Sequence, residues 1–105
     1  MFGLTDQLIS RFSQVFQQYP GIDHVLIFGS RATGRYRPGS DIDLAVSVHP
    51  DADVDFAVLA DQLDALNTPY LIDLVDIRQL SDNPLLEQIR THGQPFYPVS
   101  GADNG

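Results

Sequence analysis

The sequence contains no cysteine, no lysine and no apolar run long enough to span a membrane. Without cysteine there are no disulfides and no thiolate-held metals, which fits a chain of the reducing cytoplasm. Without lysine, all 6 basic residues are arginines (Arg11, Arg31, Arg35, Arg37, Arg78, Arg90), set against 14 acids for a formal charge of −8. Long nucleic acid is bound through basic patches that release counterions, so direct nucleic-acid binding is not expected of this chain. A small polyphosphate is compatible with it if metal ions neutralise the site. A membrane-spanning helix needs about 20 consecutive apolar residues. The N-terminal Met1-Phe2-Gly3-Leu4-Thr5-Asp6 has no basic stretch followed by an apolar one. The expected address is therefore the cytoplasm, with no membrane.

At 105 residues the chain predicts one domain with a single modest core, assigned to residues 1–99, and a disordered tail at 100–105. Leu4, Leu8, Phe12, Val15, Phe16 and Tyr19 recur at helical spacing, with Thr5-Asp6 as a start and Pro20-Gly21 as a stop. Residues 24–28 (HVLIF) read as a buried strand bounded by glycines. Residues 41–48 alternate Ile42, Leu44, Val46 and Val48 against Asp41, Asp43, Ala45 and Ser47, the period of a strand with one apolar face. A second helical stripe runs from Phe56 to Leu66, a third strand over residues 70–77, a helix over 84–91 behind Asn83, and a short extended stretch over 95–97. The alternation predicts an α/β (α+β) fold, a small sheet flanked by helices.

The chemistry concentrates in "FGSRATGRYRPGSDIDLAV", Phe28 to Val46. Gly29-Ser30 falls where a strand should turn into a helix. Such a corner offers backbone N–H groups and a hydroxyl to an anion, although Gly-Ser alone is equally an ordinary turn. The spacing from Gly29 to Gly34 imitates a phosphate-binding P-loop, but Arg35 and Tyr36 stand where its lysine and hydroxyl residue belong, so that motif is rejected. Asp41 and Asp43, two apart on a strand, share a face at roughly 6 to 7 Å along the backbone. Asp73, on another strand, can join them if the strands are neighbours. Three such carboxylates repel strongly unless they surround a divalent cation, and all-oxygen ligands favour magnesium or manganese. Asp76, three residues beyond Asp73, belongs to the opposite face. Arg31, Arg35 and Arg37 can steer a polyphosphate or dock an acidic partner, although loop arginines are more often solvated charges, and only Arg31 is close enough to Gly29-Ser30 to suggest a phosphate contact. His24, His49 and His92 share no spacing and read as structural or surface groups.

Gly29-Ser30, a spacer, Asp41-x-Asp43 and the later Asp73 resemble the nucleotidyltransferase superfamily that includes DNA polymerase beta. More narrowly, "IFGSRATG", "SDIDLAV", "LIDLVDI" and "LLEQIRTHGQPFY" are similar to the minimal nucleotidyltransferases. The resemblance implies a polymerase-beta-like fold with a small mixed sheet. It implies Asp41, Asp43 and Asp73 as catalytic metal ligands for two magnesium ions, with Gly29 and Ser30 holding the terminal phosphates of ATP. Arg31 joins them as a candidate nucleotide contact. It further implies an antitoxin that transfers AMP to a tyrosine of a HEPN ribonuclease toxin, because the chain has no room for an acceptor-binding domain. Two alternatives stay open: the catalytic subunit of a two-component enzyme modifying a small molecule, and a non-catalytic antitoxin that masks its partner by contact.

Overall fold

The computed structural model describes residues 1–81 and 83–98; the tail expected at 100–105 lies outside them. Helix α1 (Asp6–Phe16) starts where the Thr5 side chain accepts a hydrogen bond from the Leu8 N–H, with Asp6 in the positive first turn. It ends a turn earlier than its apolar spacing predicts, because Pro20 disfavours helical backbone at the residue before it. The chain instead closes through short turns, Tyr19 N–H to Phe16 O and Ile22 N–H to Tyr19 O.

Strand β1 (Ile22–Phe28) runs into a single helical turn, α2 (Ser30–Thr33), which Gly34 closes with φ 81°. Arg37-Pro38-Gly39-Ser40 then reverses the chain: Ser40 N–H bonds Arg37 O, and Gly39 takes φ 85° at the position of a turn that only glycine accepts easily. Strand β2 (Ile42–Val48) returns antiparallel to β1. Helix α3 (Phe56–Asp64), capped by Asp55 Oδ1 on the Ala57 and Val58 N–H groups, crosses over to β3 (Ile72–Asp76), parallel to β2. A 3-10 turn (Ile77–Gln79), helix α4 (Pro84–His92, capped by Asn83) and strand β4 (Gln94–Tyr97) complete the chain. The sheet order is β3-β2-β1-β4, with β4 antiparallel to β1, so the sheet is mixed as expected.

Pleat parity divides the apolar residues between two faces. Val25, Ile27, Ile42, Leu44, Val46 and Val48 pack with Phe12 and Phe16 of α1 and Leu59 and Leu63 of α3 in the main core. Phe28 and Ala45 point the other way and meet Ile89 of α4 in a smaller cluster. By the same parity, Asp43 and Asp73 emerge on the thinly covered face. Among the described residues no helix is long and apolar enough to cross a membrane.

Candidate active site

Parallel pairing of β2 with β3 places Asp43 directly opposite Asp73 in register. The same residue of β2 is paired on its other side with Phe28, the last residue of β1. The chain leaves β1 through Gly29 at φ 74°, ψ −153°. A Cβ added to Gly29 would stand 2.5 Å from Asp43 Oδ2, so that carboxylate occupies the space a side chain would need. The Gly-Ser corner and the aspartate pair are therefore one site, joined by the β1–β2 ladder. As α2 is a single turn, its macrodipole adds little; what the corner offers is the close approach of its glycine backbone to Asp43.

Burial pushes the Asp43 carboxyl up from 3.8 to about 6. The charge of Asp73, a hydrogen bond with Asp73 and the charge of Asp41 push the same way, and Arg31 pulls against them. Carboxylates in such contact share either a proton or a cation. Asp41 stands apart: the ladder begins at Ile42, whose N–H bonds Leu71 O, and Asp41 is exposed just before it. The pleat thus fixes Asp43 and Asp73 but not Asp41. Among the described residues no three His, Asp or Glu side chains converge into a ready-made metal cage. The donor set nonetheless fits magnesium, being all oxygen and carrying negative charge that Arg31 alone does not balance.

Arg31 is placed differently from a nucleotide contact facing solvent. It is 3% exposed, with Nε and Nη2 donating to Ser40 O at 3.1 and 2.8 Å and Nη1 donating to Phe2 O at 2.9 Å. Its guanidinium lies over the rings of Tyr70 at 4.6 Å and Tyr36 at 5.2 Å. Ser40 immediately precedes Asp41, and Tyr70 leads into the strand that carries Asp73. One buried cation thereby ties together the two segments that deliver the acids. Asp76, assigned to the opposite face, accepts from the Arg78 N–H and pairs with its guanidinium, whose Nη1 reaches Ala52 O.

Two groups set aside on the sequence lie near the corner. Arg35 and His92 line a cavity of about 600 Å³ that begins at Gly29 and Ser30. No spacing rule links them, since His92 belongs to α4 and arrives there only through packing of that helix on the sheet. His24 and His49 sit elsewhere, both against Asp23.

A mixed four-stranded sheet with a glycine-serine corner against facing aspartates is a polymerase-beta-like nucleotidyltransferase fold. The sequence profile described as "Polymerase beta, Nucleotidyltransferase" matches residues 11–100, and the chain belongs to that family. No curated protein matches the chain significantly. Among solved structures, the chain is similar to one in a toxin-antitoxin complex with AMP-PNP (29% identity, TM-score 0.68, covering 91% of this chain and 77% of that one). It is similar to one in the complex of a tri-AMPylated Shewanella oneidensis HEPN toxin with an MNT antitoxin (26% identity, TM-score 0.64, covering 96% and 78%). A candidate minimal nucleotidyltransferase is also similar (31% identity, TM-score 0.66, covering 86% and 93%).

Proposed function

We propose that this protein is a magnesium-dependent nucleotidyltransferase that acts in the cytoplasm as an antitoxin, moving AMP from ATP to a tyrosine of a HEPN toxin partner. The observation that carries the reading is the register of Asp43 against Asp73, with Gly29 closed down on Asp43. The likeness to complexes of a HEPN toxin with an MNT antitoxin and of a toxin-antitoxin with AMP-PNP supports the partner class and the nucleotide.

In this reading Asp41, Asp43 and Asp73 hold magnesium, which when bound neutralises the charge building at the α-phosphate and lowers the pKa of the acceptor hydroxyl. Asp41, exposed just before the ladder, would be the third carboxylate of the ligand set. The glycine backbone of Gly29 lets the phosphate chain approach Asp43, and the Ser30 hydroxyl donates to it. The acceptor oxygen bonds the α-phosphorus, the bond to the bridging oxygen breaks, and pyrophosphate leaves with that electron pair. Asp73, the exposed member of the facing pair, takes the proton of the acceptor hydroxyl. Arg31 acts as a positioning residue: it holds the Ser40 carbonyl, and through it the approach to Asp41 and Asp43.

The test is the intact mass of a co-expressed HEPN partner after incubation with the purified protein, ATP and magnesium. Wild type should add AMP and protect cells, and Asp43→Asn should do neither. An unmodified partner together with protection by Asp43→Asn would instead establish masking by contact, for which the charge of −8 gives a physical basis.

A further inference from the structure

Among the described residues Met1, Tyr36, Val58 and Leu71 are the large apolar side chains left exposed, and Leu71 is the most open of them at 72%. Scattered exposed leucines are ordinary on protein surfaces, so what matters is where this one stands. It leads directly into β3, the edge strand of the sheet, and its carbonyl accepts the Ile42 N–H at 2.8 Å. Its backbone is therefore held by the same two strands that carry Asp43 and Asp73. Ile72 and Leu74 pack against the main core, and Val75 packs against the smaller cluster on the other face. Alternation puts Leu71 and Asp73 together on that second face, two residues apart at roughly 6 to 7 Å along the strand. Leu71 joins neither cluster, so its side chain serves no core.

We propose that Leu71 is the apolar seat for the ring of the acceptor tyrosine, and so the residue that selects a phenolic hydroxyl over an aliphatic one. The assignment rests on the proposed transfer reaction. A tyrosine side chain has an apolar body and a polar tip. With the ring laid on Leu71, its length carries the hydroxyl along the strand to Asp73, the group that takes its proton. A serine or threonine hydroxyl stands next to its own backbone and has no apolar body to rest there. The order of the strands supplies a second reason. An in-line displacement needs the acceptor and the leaving pyrophosphate on opposite sides of the α-phosphorus. The Gly-Ser corner follows β1, Asp43 lies on the central β2, and Leu71 and Asp73 belong to β3 on the far side of it. Phosphates held at the corner therefore leave toward β1, and the acceptor enters from β3, beyond which the sheet has no further strand.

The experiment has two arms, both on the full chain with magnesium. The first is steady-state AMP transfer to the proposed partner by wild type, Leu71→Ser, Leu71→Met and Val58→Ser. Leu71 and Val58 are both exposed, so the variants should unfold at the wild-type temperature. Leu71→Ser should lower kcat/KM for the partner about tenfold and leave KM for ATP unchanged. Leu71→Met, which keeps an apolar surface, should restore most of the rate, and Val58→Ser on α3 should match wild type. The second arm follows the Leu71 methyl resonances by NMR during titration with N-acetyl-tyrosinamide or N-acetyl-serinamide. The aromatic amide should shift them saturably, and the serine amide should not. An unchanged kcat/KM in Leu71→Ser, a raised KM for ATP, an equal loss in Val58→Ser, or methyls indifferent to the aromatic amide would overturn the assignment. The two readings fail separately. Methyl shifts specific to the aromatic amide without AMP transfer keep the seat and sink the reaction. Transfer to a tyrosine at the wild-type rate by Leu71→Ser sinks the seat and keeps the reaction.

Discussion

Gly29 and Asp43 are packed so that a methyl group on the glycine would lie 2.5 Å from the aspartate Oδ2. The glycine also holds φ 74°, a backbone state that L side chains rarely adopt. Gly29→Ala meets both obstacles at once. We expect it to cost about 2 kcal/mol, lowering the melting temperature by on the order of 10 °C, and to abolish AMP transfer by displacing Asp43. Thermal unfolding and intact-mass assays read the two effects independently. Wild-type transfer by this variant would show that the corner need not touch the aspartate.

Asp43 gives the metal-free protein a specific pH dependence. Its folded carboxyl is raised from 3.8 to about 6, so between those values the folded state keeps a proton that the unfolded chain has released. Stability from this group is full below about pH 4, falls as pH rises through about 6, and is flat above. The loss is about 1 kcal/mol once screening at a partly exposed group is allowed for. Asp43→Asn should therefore be more stable than wild type at pH 8 and lack this slope. Chemical denaturation in chelator at pH 4.5, 6 and 8 provides the comparison, and a less stable Asn variant at pH 8 would contradict the cause assigned here.

Magnesium should reverse that loss. A cation bound at Asp43 and Asp73 stabilises the folded state by mass action, about 1.4 kcal/mol at ten times its dissociation constant. Thermal shift at pH 8 should rise with magnesium in wild type, and much less in Asp43→Asn or Asp73→Asn. An equal shift in all three would place the ion elsewhere.

Arg31→Lys should lose the planar contacts with Tyr36 and Tyr70 and the hydrogen bonds to the loop carbonyls of Ser40 and Phe2, at a cost of about 2 kcal/mol or more. If the guanidinium positions the acids, kcat falls while KM for ATP changes little. A raised KM with unchanged stability would instead mark a direct nucleotide contact.

Asp76 provides the contrast. It caps the 3-10 turn and pairs with Arg78. Asp76→Ala should cost about 1 kcal/mol through the lost cap and leave transfer intact. Loss of transfer at full stability would make Asp76 part of the site.

Most of the elements were legible because local physics sets them. Thr5, Asp55 and Asn83 are caps by side-chain chemistry, and the alternation from Ile42 to Val48 can bury only one face. Element ends were less legible: the strand expected over 70–77 shortens to Ile72–Asp76 because Asp76 turns to cap the residues that follow. Asp41 was read as a strand residue sharing a face with Asp43, but the ladder starts after it. Arg31 looked like a phosphate ligand from its nearness in sequence, and nothing local revealed that Ser40, Phe2 and two tyrosines would enclose it.

By itself the sequence determined which groups could do chemistry, namely a glycine-serine corner, an alternating pair of aspartates and a third on a later strand, because residue type and period are local properties. Tertiary structure alone decided that Asp73 faces Asp43, that Arg31 is buried as a tie, and that Arg35 and His92 share a cavity. Each of those relations depends on strand order and helix docking. They are settled by burying Phe12, Leu44, Leu59 and Ile89 in common cores, and such long-range packing leaves no spacing signature along the chain.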